Sequence, residues 1–578
     1  MTRPHLADTP ADTLSRYGSR RGASGDLAEL VRQKRAHRVA GRLDLVPQAA
    51  TAGPRATAAR VRRRLGGPPT AAEPVPSAAI VALNRLAFGP RPGDLEAFQA
   101  LGASDGARLA AYVEQQLDPT SIDDSELETR LSAAGFTTLA KSAQQLWQDH
   151  HQGNPDWAIR VRPLVEVERA TFLRAIYSRR QLVEVLADHW HDHFNVYAWE
   201  YIAAPTWAAY DRDCIRAHVL GNFREMLEAV AKSPAMLVYL DNYANHVAGP
   251  NENWARELFE LHTLGAAHYF GVRRQHEVPR DPQGVPRGYV DDDVYEATRC
   301  FTGWTVDEDT GGVAYPADWH DRFQKWVLGT YFPPNRTAAV DGGQVLDLLA
   351  AHPATAQHVA WRLCRRLLAD APPQPVVDAA AAAFLAHHNS PHQLREVVRA
   401  IVLAPEFRLT WGQKVKRPFE VMVSAVRALG ADLSFALDDE LTDALLWLFE
   451  HTGHARFAWR PPDGYPDEAH HWLSTGTLVA TWRLLNWLLD AGDGKGGHAV
   501  AVLPPAGVGT SAAALADWWI AKVYGRPMPA SFRDEIVAFM AQGRGSTVPL
   551  PVATDSDTEH RLRAMVGLLF IAPEFLRR

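Results

Sequence analysis

The stretch Asn251-Glu252-Asn253-Trp254-Ala255-Arg256-Glu257-Leu258-Phe259-Glu260-Leu261-His262-Thr263-Leu264-Gly265 crowds several chemically active groups together, and its spacing predicts one helix. At about 100° per residue, Trp254, Ala255, Leu258, Phe259 and Leu261 share one broad apolar face. His262 falls near the middle of that face, and Glu257 falls on its border beside Leu261. Arg256 and Glu260 point away, and Gly265 is the expected stop. The helix thus carries an imidazole into the interior and a carboxylate to its edge. A lone inward histidine is usually a hydrogen-bonded core residue, so the remaining chain has to decide its role.

Outward from this stretch the same helical period recurs. Helices are predicted over 78–88, twice within 94–117, and over 164–177, 181–194, 211–231 and 291–301. Further ones follow at 344–349, 354–368, 375–386, 393–402, 418–429, 438–448 and 474–489, with two or three more to the end. Pro and Gly break the pattern at 266–291, and 307–340 reads as irregular with one short hairpin. The expected architecture is mainly α: one large multi-helix domain over residues 76–578 with irregular loop insertions. Residues 1–75 are rich in Arg, Ala, Pro and Gly and end in Arg60-Val61-Arg62-Arg63-Arg64, which predicts a basic flexible arm with a helical piece at 27–38.

Bulk properties exclude several classes. The 578 residues carry a formal net charge of -7, which argues against nucleic acid as the main partner. Three cysteines, Cys214, Cys300 and Cys364, are too few and too scattered for a disulfide framework or a cysteine-rich metal site. No run is long and apolar enough to span a membrane. Arg20-Arg21 is followed by Gly, Ala, Ser and Asp, so no signal peptide is read and a cytoplasmic location is expected.

Two further constellations carry chemistry. In Asp188-His189-Trp190-His191-Asp192-His193-Phe194-Asn195, His193 falls on the apolar arc defined by Leu182, Val183, Leu186 and Trp190. His189 sits one turn earlier, at the spacing by which two imidazoles hold a metal, while His191 and Asp192 point outward. In Trp319-His320-Asp321-Arg322, the acid beside a loop histidine suits a ligand or a general base with its orienting partner. Phosphate loops, zincin helices and serine-hydrolase elbows are missing.

In order, the motifs are Leu83-Asn84-Arg85-Leu86-Ala87-Phe88-Gly89-Pro90, Trp190-x-Asp192-His193-Phe194, Tyr239-Leu240-Asp241-Asn242, the Asn251–Gly265 block, Thr302-Gly303-Trp304, His320-Asp321, Lys416-Arg417-Pro418 and Gly464 through Trp472. Together they resemble the bacterial family catalogued as domain of unknown function 1800. The resemblance covers roughly residues 78 to 575 and departs from the family pattern at Asp192 and Tyr465. It implies a largely helical fold. It also implies a sulfatase-like protein partner and, for many members, export. His189 and His191 are not part of the pattern and rank lower as site residues.

The residues therefore point to a metal-dependent enzyme with a His/carboxylate site between helices. His193, His262 and Glu257 would bind a divalent ion (Zn, Mn or Fe), His320 would be catalytic with Asp321 orienting it, and Arg256 would hold an anionic group or brace the carboxylates. Hydrolysis is favoured over an oxidoreductase with haem or non-haem iron. The rival reading is a scaffold with a buried polar network. The substrate is left open.

Overall fold

In the computed structural model, residues 75–494 and 496–578 are described. The expected basic arm over 1–75 lies outside these residues apart from Val75. From Ala78 onward, helices follow one another in nearly the order read from the periodicity. Among the described residues, strands occur only in two antiparallel hairpins, Thr305–Val306 with Val313–Ala314 and Lys325–Val327 with Thr330–Phe332. The hairpin expected in 307–340 is the second of these, and the first begins just before that stretch, at Thr305. Buried apolar side chains from Ala78 to Leu576 join into one connected core. Among the described residues no helix is long and apolar enough to cross a membrane.

Local chemistry explains most of the boundaries. Asn222 caps Phe223–Lys232 by accepting from the Arg224 and Glu225 amides at 2.9 and 3.4 Å. That cap splits the helix predicted over 211–231. Its first part is a π-helical segment, Tyr210–Ile215, followed by the 3₁₀ turn Arg216–His218. Pro353 occupies the first turn of Pro353–Leu367, where its missing N–H costs nothing. His352 caps the same helix: Nδ1 accepts from the Ala354 amide at 3.0 Å, and Nε2 donates to the Pro286 carbonyl at 2.9 Å.

The central stretch also departs from a simple helix. Asn253–Glu257 is α-helical, but Leu258–His262 is a π turn. The Thr263 hydroxyl donates to the Leu258 carbonyl at 2.6 Å, and the Gly265 amide donates to that of Phe259 at 3.0 Å, closing the widened turn. Widened turns of this kind recur at functional sites because they re-aim one side chain. Here the side chain is His262, which is fully buried.

Candidate functional site: a buried histidine cluster

Three segments far apart in sequence deliver imidazoles to one place. The first is Gln181–His193, which is buried on nearly every side rather than on one face. The outward position expected for His191 and Asp192 is therefore corrected. His191 is bonded to Asp211 at 2.9 Å, and Asp192 is gripped by Arg417. The polar side of this helix faces other helices instead of water. Asp188 lies between three guanidiniums, with Arg366 at 3.0 Å, Arg456 at 2.7 Å and Arg417 in closest contact. Burial raises the pKa of Asp188, but Arg417, Arg456 and Arg366 outweigh it and hold the carboxyl well below its usual range.

The second segment is the π turn ending at His262, and the third is Pro353–Leu367, which brings His358. The His193 ring centroid lies 6.2 Å from that of His262, 6.0 Å from that of His358 and 6.2 Å from that of His189. Two rings are fixed by main-chain carbonyls. His193 Nε2 donates to the His262 carbonyl at 3.0 Å, and His358 Nε2 donates to that of Leu261 at 2.9 Å. Those bonds set the tautomers and leave each Nδ1 as a lone-pair nitrogen. His193 Nδ1, both nitrogens of His262, and His189 Nε2 are buried without a hydrogen-bond partner. Trp254, whose ring centroid lies 6.0 Å from that of His262, likewise has an unpartnered Nε1. Such atoms cost about 1–3 kcal/mol each when nothing satisfies them.

Electrostatics keep the cluster neutral. Burial, then the nearby Arg362, pushes His262 down to about 3 and His358 down to about 4. The same two causes hold His189 and His193 well below the ordinary range. Arg362 stands one turn after His358 on the same helix face. Gly265 makes the approach possible. Its φ is +89°, and a Cβ there would come within 2.7 Å of His358 Nδ1.

Glu257, five residues before His262, is half-buried. Burial and then Glu260 raise its pKa, and Asp463 adds to the effect. The loop carrying Asp463 is pinned to the end of the His193 helix. Asn195 donates to the Trp459 and Pro461 carbonyls at 3.0 and 2.7 Å. Gly464 packs so closely that a Cβ would come within 2.0 Å of the Asp192 carbonyl oxygen.

The other expected site residues are placed elsewhere. His320 is buried, with Nδ1 donating to the Thr302 carbonyl at 2.8 Å and Nε2 facing Asp341 at 3.2 Å. Asp341 also receives Lys325 at 2.9 Å. Both ring nitrogens are engaged, so His320 has no free lone pair for an ion as it stands. Asp321 does not orient it. Asp321 pairs with Arg299 at 2.7 and 3.2 Å, because the neighbouring side chains of an extended loop diverge. Arg256 bridges Glu252 at 3.3 Å and Asp291 at 3.2 Å near the surface. Among the described residues, no ring contact, hydrogen bond or ion pair joins these three to the His193 cluster, and no group of three or more His, Cys, Asp or Glu side chains is disposed to hold a metal ion.

His358 and Arg362 were missed from the sequence. Their i, i+4 spacing on a strongly amphipathic helix was the available signal, the same one that marked His189 and His193. A family model described as "Protein of unknown function (DUF1800)" matches residues 81–577, and the chain belongs to that family. No curated protein and no solved structure matches it.

Proposed function

We propose that this family member is a metal-dependent enzyme whose ion binds at the histidine cluster, through His193 Nδ1, His262 and His358 Nδ1. The observation that supports this is that His193 and His262 are buried, neutral imidazoles with unpartnered ring nitrogens. Two of the rings are braced as ligating histidines usually are, with one N–H on a main-chain carbonyl and the other nitrogen free. Ring separations of 6.0–6.2 Å exceed the roughly 5 Å expected for two imidazoles on one tetrahedral ion. Sharing an ion would therefore require the His193 ring to draw closer to those of both His262 and His358.

Three neutral imidazoles would leave a bound divalent ion its full positive charge, and such an ion would supply Lewis-acid chemistry suited to hydrolysis. That supports hydrolysis over redox chemistry. Glu257, its pKa raised by burial and Glu260, is suited to take or return a proton if the substrate reaches it. Zn, Mn and Fe all suit imidazole donors. The second reading is a non-catalytic scaffold. It is favoured by the buried ionic network of Asp188, Arg366, Arg417, Arg456 and Glu420, which ties the His193 helix to the C-terminal half.

Elemental analysis with an absorption spectrum tests the proposal. Wild type expressed with metals and haem precursor available should retain about one divalent ion per chain, and His262→Ala should lose it while keeping its helical content, since Ala is the best helix former. A wild type that takes up no ion would leave the scaffold reading in front.

A further inference from the structure

We propose that Arg362 is the recognition residue for an oxyanion, the carboxylate, phosphate or sulfate group of a substrate brought to the histidine cluster; this rests on the cluster being the active centre. Pro353–Leu367 carries three arginines near its end, and two are committed. Arg365 is paired with Glu468. Arg366 reaches Asp188 at 3.0 Å and Glu420 at 3.1 Å. Among the described residues, Arg362 has no hydrogen bond and no ion pair.

The acidic groups whose charges reach Arg362 are occupied. Asp192 is held by Arg417. Asp467 is held by Lys414 at 3.0 Å, with Arg366 at 3.9 Å. Asp463 accepts from the Trp459 indole N–H at 2.8 Å. Arg362 itself is half-buried, so solvent reaches it while protein surrounds it. Burying a cation without a counter-charge is unfavourable, and proteins ordinarily pair it. His358 stands one turn back on the same helix, with His193 at 6.0 Å from His358, while the three carboxylates whose charges reach Arg362 are each engaged by another donor.

A planar guanidinium with its donors uncommitted presents a fork matched to two oxygens of one oxyanion. The unpartnered nitrogens of His262 supply further donors or acceptors in the same place. The half-buried guanidinium therefore suits one anionic group seated on it.

The test uses the full chain, stripped with chelator, so that anion binding is read separately from metal binding. Inorganic phosphate, sulfate and acetate are titrated by calorimetry, with protection against thermal unfolding as a second readout. Wild type should bind at least one of the three, and the preference among them names the substrate group. Arg362→Gln should weaken that binding by at least about tenfold, and Arg362→Lys should restore part of it. Arg399→Gln, a surface arginine paired with Glu114, should bind as wild type does. Because Arg362 has no partner to lose, Arg362→Gln should melt at or above the wild-type temperature. No anion binding by wild type, equal binding by Arg362→Gln, or a marked loss of stability in that variant overturns the proposal. Metal uptake with no anion binding would sink it alone and leave the metal site standing.

Discussion

Mild acid should destabilise the metal-free protein far more than an average one. The perturbation is a drop from pH 7.5 to 5.5. His262 is pushed down to about 3 and His358 to about 4, and His189 and His193 are held well below the ordinary range. In the unfolded chain each titrates near 6.5. Below that value the unfolded state binds more protons than the folded state. These groups therefore contribute stability that is complete above about pH 6.5 and is lost as pH falls toward the folded pKa. One unit below 6.5, each costs about 1.4 kcal/mol, and the four together cost on the order of 5 kcal/mol. That rivals the whole stability of a typical domain. Urea unfolding across the pH range measures it. His262→Gln, which removes one titrating ring, should reduce the slope of stability against pH near 5.5 by close to one proton, about 1.4 kcal/mol per pH unit. Stability that is flat between pH 7.5 and 5.5, or an unchanged slope in His262→Gln, would refute the claim that the cluster is held neutral by its surroundings.

Gly265→Ala should cost about 1–3 kcal/mol for its φ of +89° and more for the 2.7 Å approach to His358. The steric part should vanish in a His358→Ala background, which a double-mutant cycle of denaturant midpoints would reveal. Asp188→Asn leaves three buried guanidiniums without their shared carboxylate and should lower stability by about 3–5 kcal/mol, read by the same unfolding assay.

The helical architecture was legible because hydrophobic spacing repeats along most of the chain, and the inward positions of His193 and His262 followed from that spacing. The wheel misled where its assumptions failed. It assigns every helix an outward side, but Gln181–His193 has helices around it and its polar residues meet buried arginines. It assumes a constant turn, but Leu258–His262 is π-helical. Proximity in sequence also misled: Asp321 adjoins His320 yet pairs with Arg299. The true neighbour of His320 is Asp341, which loop geometry brings back from a later helix. The i, i+4 spacing of His358 and Arg362 marks one helix face, but the packing of His358 against the π turn is tertiary and lies beyond that local pattern.

The central claim is that the imidazoles of His193, His262 and His358 bind one ion. X-ray absorption at the metal edge of zinc- or cobalt-loaded full-length protein tests it most directly. The account predicts two or three imidazole nitrogens at about 2.0 Å, reduced by one in each of His193→Ala, His262→Ala and His358→Ala. A shell of oxygen atoms alone, or a spectrum unchanged by all three substitutions, would contradict it.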